Sequence, residues 1–326
     1  MSTSQVQPNI FSSVIDLKSL DSTEIYSLFD FSLKLKLNDE DIQSQLLQLG
    51  SGSHNINKSS IRKTAALLFF EPSTRTRFSF ESACVRAGVH PLILDGSVGT
   101  SLEKGETIED TILNIEAMMP LFFVIRAPDN LNLIELATKM KTPVLSAGWG
   151  RLGHPTQALL DALTIFEKYR EVKNKKILFV GDIKHSRVVS SHLELAEILN
   201  YDIGFCAPDE MLPESLSFKS KVQYFTKLQD GLPWADVVIA LRVQKERHTG
   251  LSFDMSKYIS EFNLNSENIK KIKKEGLILH PGPINYGVEL NQDILLDSRV
   301  VIMEQVRNGV FIREAIIHRI LGRQNK

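Results

Sequence analysis

From residue 61 onwards, short apolar runs alternate with amphipathic stretches, and apolar residues in stretches such as 106–119 and 155–170 recur at helical spacing. The apolar runs predict strands at 65–70, 91–95, 121–126, 143–148, 176–181, 202–207, 236–241, 277–281 and 300–304. Because continuous apolar strands alternate with helices, the pattern predicts an α/β fold whose parallel sheets are covered on both faces.

Three further segments set the expected organisation of the chain. Asp21 and Glu24 have the spacing of a capping pair, which predicts a helix from there to about Leu37. Near residue 150, the segment GWGRLGHP interrupts the pattern with three glycines and a proline, which predicts a domain boundary. The segment 304–321 predicts a terminal helix that packs back on the first domain. The expected domains are therefore 1–150, joined by 304–326, and 151–303.

Composition excludes several classes of protein. Of the 326 residues, 43% are apolar and 24% are charged, which is the balance of a folded globular chain. The 38 basic and 39 acidic residues give a net charge of −1, so no basic surplus exists to hold a nucleic-acid backbone. Any anion site must therefore come from local clustering of basic side chains.

Cysteines and apolar segments set the expected compartment. Cys84 and Cys206 stand far apart without a close histidine, which argues against a disulfide framework and against a structural metal. The first residues lack a secretory pattern, and no apolar run reaches the roughly 20 residues that span a bilayer. We therefore expect a cytoplasmic protein that binds no membrane.

The segment FFEPSTRTRFSFESA (69–83) carries the strongest chemical signal. An apolar run ends at Phe70, and the segment from Ser73 to Arg77 then opens a predicted helix. Free amides at a helix N-terminus attract an anion, and arginine adds a bidentate partner, so the segment predicts a phosphate site. A serine cap with solvated arginines is the alternative.

Four more basic residues follow predicted strands or lie in adjoining loops: Lys104, Arg126, Arg187 and Arg242. Arg187 lies in the first turn of a predicted helix, where a cation opposes the helix dipole, and an ion pair would also explain it. A solvated basic loop is the alternative for Lys104 and Arg242. Gly181 stands without the further glycines of a dinucleotide motif, so that cofactor is disfavoured.

Two proline-containing turns complete the candidate site. His154 precedes a predicted helix that starts at Pro155 and carries Gln157 in its first turn. A histidine there tends to stay neutral and can donate a hydrogen bond to a carbonyl oxygen, although a polar cap is the alternative. The segment 280–283, His-Pro-Gly-Pro, can aim backbone carbonyls into a cleft, or form an ordinary rigid turn. Together these residues predict a site for two anions, one of them a phosphate.

In order and spacing, these motifs closely resemble those of the aspartate carbamoyltransferases from about residue 60 to 320. STRTRFSFE resembles the carbamoyl-phosphate signature of the wider transcarbamylase family, and KGET, HPTQ, RVQKER and HPGP resemble the aspartate branch. The HCLP motif and SMG loop of the ornithine branch do not occur. Two departures stand out: Trp149 replaces a small or acidic residue, and 284–286 lack the usual arginine.

The resemblance implies two doubly wound parallel-sheet domains, with the active site in the cleft between them. It implies contacts to carbamoyl phosphate from Ser73, Thr74, Arg75, Thr76, Arg126, His154, Gln157, Gly282 and Pro283. It implies contacts to aspartate from Lys104, Arg187, Arg242 and Gln244. The implied catalytic residues are Arg75, Thr76, His154 and Lys104.

The implied reaction transfers a carbamoyl group from carbamoyl phosphate to the α-amino group of L-aspartate, without a metal or organic cofactor. The product, N-carbamoyl-L-aspartate, belongs to pyrimidine biosynthesis. The resemblance also implies a homotrimer in which Ser101 and Lys104 enter the neighbouring subunit's site. Another carbamoyltransferase, such as an ornithine-type enzyme, and an inactive scaffold homologue are the alternatives. A regulatory or dihydroorotase partner is left open.

Overall fold

The computed structural model describes residues 13–49, 63–96, 98–214, 222–243 and 254–324, without the side chains of 41–49, 323 and 324. By their internal contacts, the residues form two compact units, one of 1–156 with 307–326 and one of 157–306. The bounds expected from the sequence, 1–150 with 304–326 and 151–303, remain a prediction of where independently folding domains begin and end.

The first unit contains a four-stranded parallel sheet in the order β2-β1-β3-β4. Its strands are β1 (Thr64–Phe69), β2 (His90–Asp95), β3 (Phe123–Ala127) and β4 (Val144–Trp149). The helices that precede and connect them are α1 (Ser22–Leu49), α2 (Thr74–Arg86), α3 (Ile108–Glu116) and α4 (Leu133–Lys139).

The second unit contains a five-stranded parallel sheet in the order β7-β6-β5-β8-β9. Its strands are β5 (Lys176–Val180), β6 (Asp202–Cys206), β7 (Val222–Phe225), β8 (Val237–Ala240) and β9 (Leu277–Leu279). The remaining helices are α5 (Pro155–Tyr169), α6 (Arg187–Leu199), α7 (Leu228–Trp234), α8 (Met255–Phe262) and α9 (Ile302–Gln324).

Both sheets are doubly wound, which confirms the predicted fold class. In the first, the chain moves from β1 to β2 and then crosses to β3 on the other side of β1. In the second, it moves from β5 through β6 to β7 and then crosses to β8 on the other side of β5. Since parallel crossovers are right-handed, this reversal puts helices on opposite faces and leaves a gap between the loops that follow the central strands.

The central strands form the core of each sheet. All of β3 is buried, and β1 and β5 are buried except at their first residues, as continuous apolar strands between two helix layers should be. The edge strands β2 and β7 are largely exposed. No helix in the described part of the chain is both long enough and apolar enough to cross a bilayer.

Two predicted elements differ from the structure, and one strand was not predicted. The apolar run 300–304 is not a strand, because α9 begins at Ile302 and Val300 makes only an isolated bridge to Ile278. Strand β7 was missed, because an exposed edge strand of four residues has no apolar run. Helix α1 continues to Leu49 rather than ending near Leu37, since no glycine or proline occurs before Gly50.

Helix α9 returns to the first unit and packs on α1 and α2. Arg86 of α2 lies 2.6 Å from the carboxylates of Glu314 and Asp39, and Glu314 is only 4% exposed. Lys36 of α1 donates to Asn308, and Arg313 donates to Ser79. Because these donors and acceptors are buried or half-buried, the contacts fix how the three helices pack.

We predict that Arg86→Met destabilises the protein by about 2–4 kcal/mol, because two carboxylates lose their cation and one of them is buried. Arg307→Met is the matched control: Arg307 also lies over the Phe311 ring, but its partner Glu40 is exposed. The control should cost less than about 1 kcal/mol. Urea unfolding measures both changes, and equal losses would contradict this assignment.

Candidate active site

The predicted phosphate loop follows the central strand of the first sheet. Strand β1 ends at Phe69, and Ser73 is the extended N-cap residue of α2. The Ser73 side chain makes no capping hydrogen bond, so the conventional serine cap is not formed. Thr76 is buried in the first turn, whereas Thr74 and Arg75 are exposed. Hydroxyls and amides at this helix end are therefore available to an anion.

The two arginines of this loop differ in their partners. Arg77 pairs with Asp95 at the end of β2 and with Glu81 one turn along α2. Among the described residues, Arg75 forms no ion pair. Partial desolvation lowers the pKa of Arg75 from its ordinary value, but a guanidinium remains charged at neutral pH. Arg75 is therefore the arginine of this loop that can bind a ligand.

Arg126 lies on β3 directly opposite Phe69, so it borders the phosphate loop. Its side chain is buried, donates to the carbonyl of Ala147 at 3.3 Å, and lies 3.6 Å from the Glu71 carboxylate. Arg126 therefore has an ion-pair partner in Glu71, next to the position predicted for the phosphate. The carboxyl ends of β1 and β3 flank the point where the strand order reverses, which is where α/β sheets bind ligands.

His154 follows a loop that is tightly held in place. It is buried and immediately precedes α5, which begins at Pro155 as predicted. In the loop, the Trp149 amide donates to Gly153 at 2.9 Å and the Arg151 amide donates to Asp129 at 2.6 Å. The half-buried Trp149 ring packs against the apolar core. This tryptophan therefore packs the loop against the core of the first unit.

Lys104 lies on the loop that leaves the edge strand β2. It ends a short 3₁₀ helix (Ser101–Lys104), whose first turn is capped by the hydroxyl of Thr100. The helix stops at Gly105, which has a φ of 92°. Lys104 is exposed, and the described contacts of this chain hold it in no ion pair. Lys104 follows the edge strand β2, whereas Arg75 follows the inner strand β1 and Arg126 lies on the inner strand β3.

The predicted aspartate-binding arginines share a second reversal of strand order. Arg187 is the first residue of α6, after β5, and Arg242 follows β8. Val180 pairs with Ala240, so the two strands end side by side. Gly181 directly follows β5, and a side chain there would lie within 3 Å of the Tyr258 hydroxyl and the Leu241 carbonyl. The expected contact Gln244 lies outside the described residues.

The segment 280–283 follows β9, the neighbour of β8. The Gly282 amide donates to Nδ1 of buried His280 at 2.8 Å, and Gly282 has a φ of 68° that favours glycine. Glu289 accepts from the Val243 amide and from both nitrogens of Asn285 at 2.7–2.8 Å. Burial raises the Glu289 pKa, against these hydrogen bonds. Asn285, within the segment that lacks the family's arginine, thus serves Glu289.

The buried carboxylate of Asp161, which contacts Gln157, was not predicted from the sequence. The side-chain amides of Gln157 and Gln305 both donate to Oδ1 of Asp161, at 2.9 and 2.7 Å. Nε2 of His192 lies 3.2 Å from Oδ2 of the same carboxylate. The available signal was the polar pair Gln157 and Asp161, which lie four residues apart on a largely apolar helix.

Two family models match nearly the whole chain. The carbamoyl-phosphate-binding domain of aspartate/ornithine carbamoyltransferases matches residues 12–167, and the aspartate/ornithine-binding domain matches residues 173–320. The chain belongs to the aspartate/ornithine carbamoyltransferase family.

Curated relatives place it in the aspartate branch of this family. The aspartate carbamoyltransferase catalytic subunit of Chlorobaculum tepidum is 41% identical, over 79% of this chain and 85% of the relative. That of Staphylococcus carnosus is 34% identical, over 96% of each. Aspartate transcarbamoylase from Trypanosoma cruzi, solved with carbamoyl aspartate and phosphate, has a TM-score of 0.78 at 27% identity and covers 97% of this chain and 98% of its own.

We predict that Gly150→Ala damages the loop before His154 in this carbamoyltransferase. Gly150 has a φ of 44°, and a methyl group there would lie 2.8 Å from the Asp129 Cα. The loss of stability should reach at least about 3 kcal/mol, because backbone atoms must move. Gly88→Ala is the control, since Gly88 has a φ of 70° and open space around it, and strain alone should cost about 1–2 kcal/mol. Thermal unfolding measures both, and equal effects would contradict the steric explanation.

Proposed function

We propose that this protein transfers the carbamoyl group of carbamoyl phosphate to the α-amino group of L-aspartate. The products are N-carbamoyl-L-aspartate and phosphate, so the reaction belongs to pyrimidine biosynthesis. The observation that carries the proposal is the pair of reversals in strand order, one bordered by Arg75 and Arg126 and the other by Arg187 and Arg242. One suits a phosphate and the other the two carboxylates of aspartate.

In this proposal, the first unit binds the phosphate. The phosphate oxygens accept hydrogen bonds from the α2 N-terminus and from the side chains of Ser73, Thr74, Arg75, Thr76 and Arg126. The carbamoyl amino group is held by Gln157 and by the backbone of Gly282 and Pro283. Arg75, Thr76 and His154 approach the carbonyl oxygen. The exposed, unpaired state of Arg75 among the described residues supports this role.

The chemistry follows from charge stabilisation and orientation. The amine of aspartate attacks as a free base, and a tetrahedral oxyanion forms at the carbamoyl carbon. Donors from Arg75, Thr76 and His154 stabilise that oxyanion, and one such donor is typically worth about 3–4 kcal/mol. The C–O bond to phosphate then breaks, and the leaving phosphate can accept the amine proton. No side-chain base is assigned.

The second unit binds aspartate through Arg187, Arg242 and Gln244, and Lys104 completes the site from the neighbouring subunit. Edge strand β2 and the outer face of α2 support a homotrimer, because they expose Phe78, Val85, Leu92 and Ile93 by 46–65%. The Lys104 loop leaves from this same edge strand. A second copy of the chain would cover the apolar surface and receive the loop.

We also infer a cytoplasmic location. Cys84 and Cys206 are both buried free thiols, and burial raises the pKa of each to about 12. Free thiols suit a reducing compartment, which supports this location.

An acceptor panel tests the proposed activity. The protein is incubated with carbamoyl phosphate and one amine at a time: L-aspartate, L-ornithine, N-acetyl-L-ornithine or putrescine. We expect ureido product from L-aspartate alone. Product from ornithine or another amine would favour the alternative carbamoyltransferases, and binding of carbamoyl phosphate without any product would favour an inactive scaffold.

Separate binding of phosphate and of aspartate predicts different defects for two arginine variants. Arg242→Ala should weaken aspartate binding by at least about 2 kcal/mol and leave carbamoyl phosphate nearly unaffected, because a carboxylate loses its bidentate partner. Arg75→Ala should lower kcat at least about 100-fold, because the leaving group and the oxyanion lose their cation. Each variant is the control for the other in steady-state kinetics and calorimetry. A kcat within about threefold for Arg75→Ala, or equal losses for both substrates with Arg242→Ala, would contradict these roles.

Mixing two inactive variants tests the shared site. Lys104→Ala and His154→Ala are dissociated, mixed equally and reassembled. Random assembly makes about three-quarters of trimers mixed, and each mixed trimer repairs about one site in three, so about a quarter of wild-type activity should return. No recovery, with mixed trimers verified by native mass spectrometry, would mean that each site is built within one chain.

A further inference from the structure

Asp161 lies at the centre of a fully buried hydrogen-bond network in the second unit. Both Asp161 and His192 have no exposed side-chain surface. Oδ1 of the carboxylate accepts from two glutamine amides, those of Gln157 and Gln305. Oδ2 faces Nε2 of His192. A buried carboxylate with three polar neighbours from three separate segments is costly to build, and the role described so far for this protein does not use it.

The protons of the network can be assigned from its geometry. The Tyr201 hydroxyl lies 2.8 Å from the His192 carbonyl, which only accepts, so the hydroxyl donates there. Nδ1 of His192, 2.9 Å from the same hydroxyl oxygen, must then be the donor of that second contact. A proton on Nε2 of His192 or on Oδ2 of Asp161 would satisfy the 3.2 Å contact between these two atoms. In both cases Oδ1 remains a pure acceptor for the two glutamine amides.

This acceptor fixes the orientation of the Gln157 amide. Since Nε2 of Gln157 donates to Asp161, Oε1 is turned away from the carboxylate. The Gln157 side chain therefore offers a ligand an acceptor. Were the amide reversed, Oε1 would face the carboxylate oxygen and two acceptors would repel each other. An acceptor suits the NH₂ of a carbamoyl group, whereas it offers nothing to a methyl group.

The same carboxylate also orders the segment 280–283. Nε2 of Gln305 donates to Asp161, so its Oε1 is turned to accept from the backbone amide of His280 at 3.0 Å. Nδ1 of His280 in turn accepts from the Gly282 amide. A continuous series of hydrogen bonds therefore joins Asp161 to Gly282. Both groups that the proposed function assigns to the carbamoyl NH₂ depend on this one side chain.

We propose that Asp161 is a positioning residue that makes the site selective for the carbamoyl NH₂, by holding Gln157 and the 280–283 backbone with their acceptors toward it. The inference rests on the proposed function, since it assumes that carbamoyl phosphate is bound by these groups. It goes beyond that function in assigning the specificity for an amino group to a buried residue that touches no substrate.

Acetyl phosphate tests this selectivity, because it has a methyl group where carbamoyl phosphate has NH₂. The dissociation constant of carbamoyl phosphate and the inhibition constants of acetyl phosphate and inorganic phosphate are measured for each variant. Asp161→Ala should weaken carbamoyl phosphate about 10- to 100-fold, the range for one or two lost hydrogen bonds, and change the other two ligands less than about threefold. A purely structural role would weaken all three ligands alike.

Two variants control for loss of packing. Asp161→Asn should stay within about fivefold of wild type for carbamoyl phosphate, because its Oδ1 still accepts from both glutamines and its amide can donate to a neutral His192. Thr164→Val removes a buried polar group elsewhere on α5, a hydroxyl that donates to the Leu160 carbonyl. It should not change the ratio of the binding constants of carbamoyl phosphate and acetyl phosphate. If Asp161→Ala does not fold, Gln305→Met gives the same test, with a smaller loss confined to carbamoyl phosphate.

A double-mutant cycle identifies the route of the effect. In a Gln157→Ala background, Asp161→Ala should add less than half of its single-variant effect on carbamoyl phosphate binding, because one of its two routes is already lost. Full additivity, or an unchanged ratio of carbamoyl to acetyl phosphate in Asp161→Ala and Gln305→Met, would overturn the inference. A wild-type protein that does not bind carbamoyl phosphate would instead overturn the proposed function.

Discussion

All strands of each parallel sheet have their carboxyl ends on the same side. The reversal of strand order leaves a gap between the loops that follow two inner strands. Every other feature of the candidate site depends on this constraint. The backbone between β1 and α2 has to turn there, which leaves amides at the α2 N-terminus without helical partners. The same geometry in the second sheet brings the ends of β5 and β8 together, and Arg187 and Arg242 lie in the segments that follow these two strands. In each sheet, charged side chains that follow these strands can contact a ligand at the carboxyl ends without a long loop.

Buried carboxylates complete what the strand ends begin. Glu289 holds the backbone after β8 through Val243, and Asp161 holds the 280–283 segment through Gln305. Each accepts hydrogen bonds from amides of separate segments, so Val243 after β8 and the 280–283 segment after β9 are held by polar contacts. Burial of these carboxylates costs desolvation free energy, but it gives Val243 and the 280–283 segment a defined geometry before any ligand binds.

The sequence predicted the elements whose signals are local. Apolar runs revealed the buried strands, and Pro155 marked the first residue of α5, because each of these signals depends on neighbours in the chain. Strand β7 has no such signal, since an exposed edge strand buries little, and the run 300–304 has a false one, since apolar residues also begin α9. The Asp161 network was hidden for a different reason. Its partners His192 and Gln305 are 31 and 144 residues away, so only folding brings them together.

In the proposed function, one reversal of strand order binds phosphate and the other binds the carboxylates of aspartate. A crystal structure with N-(phosphonacetyl)-L-aspartate, which carries a phosphonate at one end and aspartate at the other, tests this claim most directly. We expect the phosphonate at Ser73–Thr76, with Arg75 turned to it, and the carboxylates at Arg187 and Arg242. A phosphonate bound at Arg187 and Arg242, or a ligand that contacts neither Arg75 nor Arg242, would contradict it.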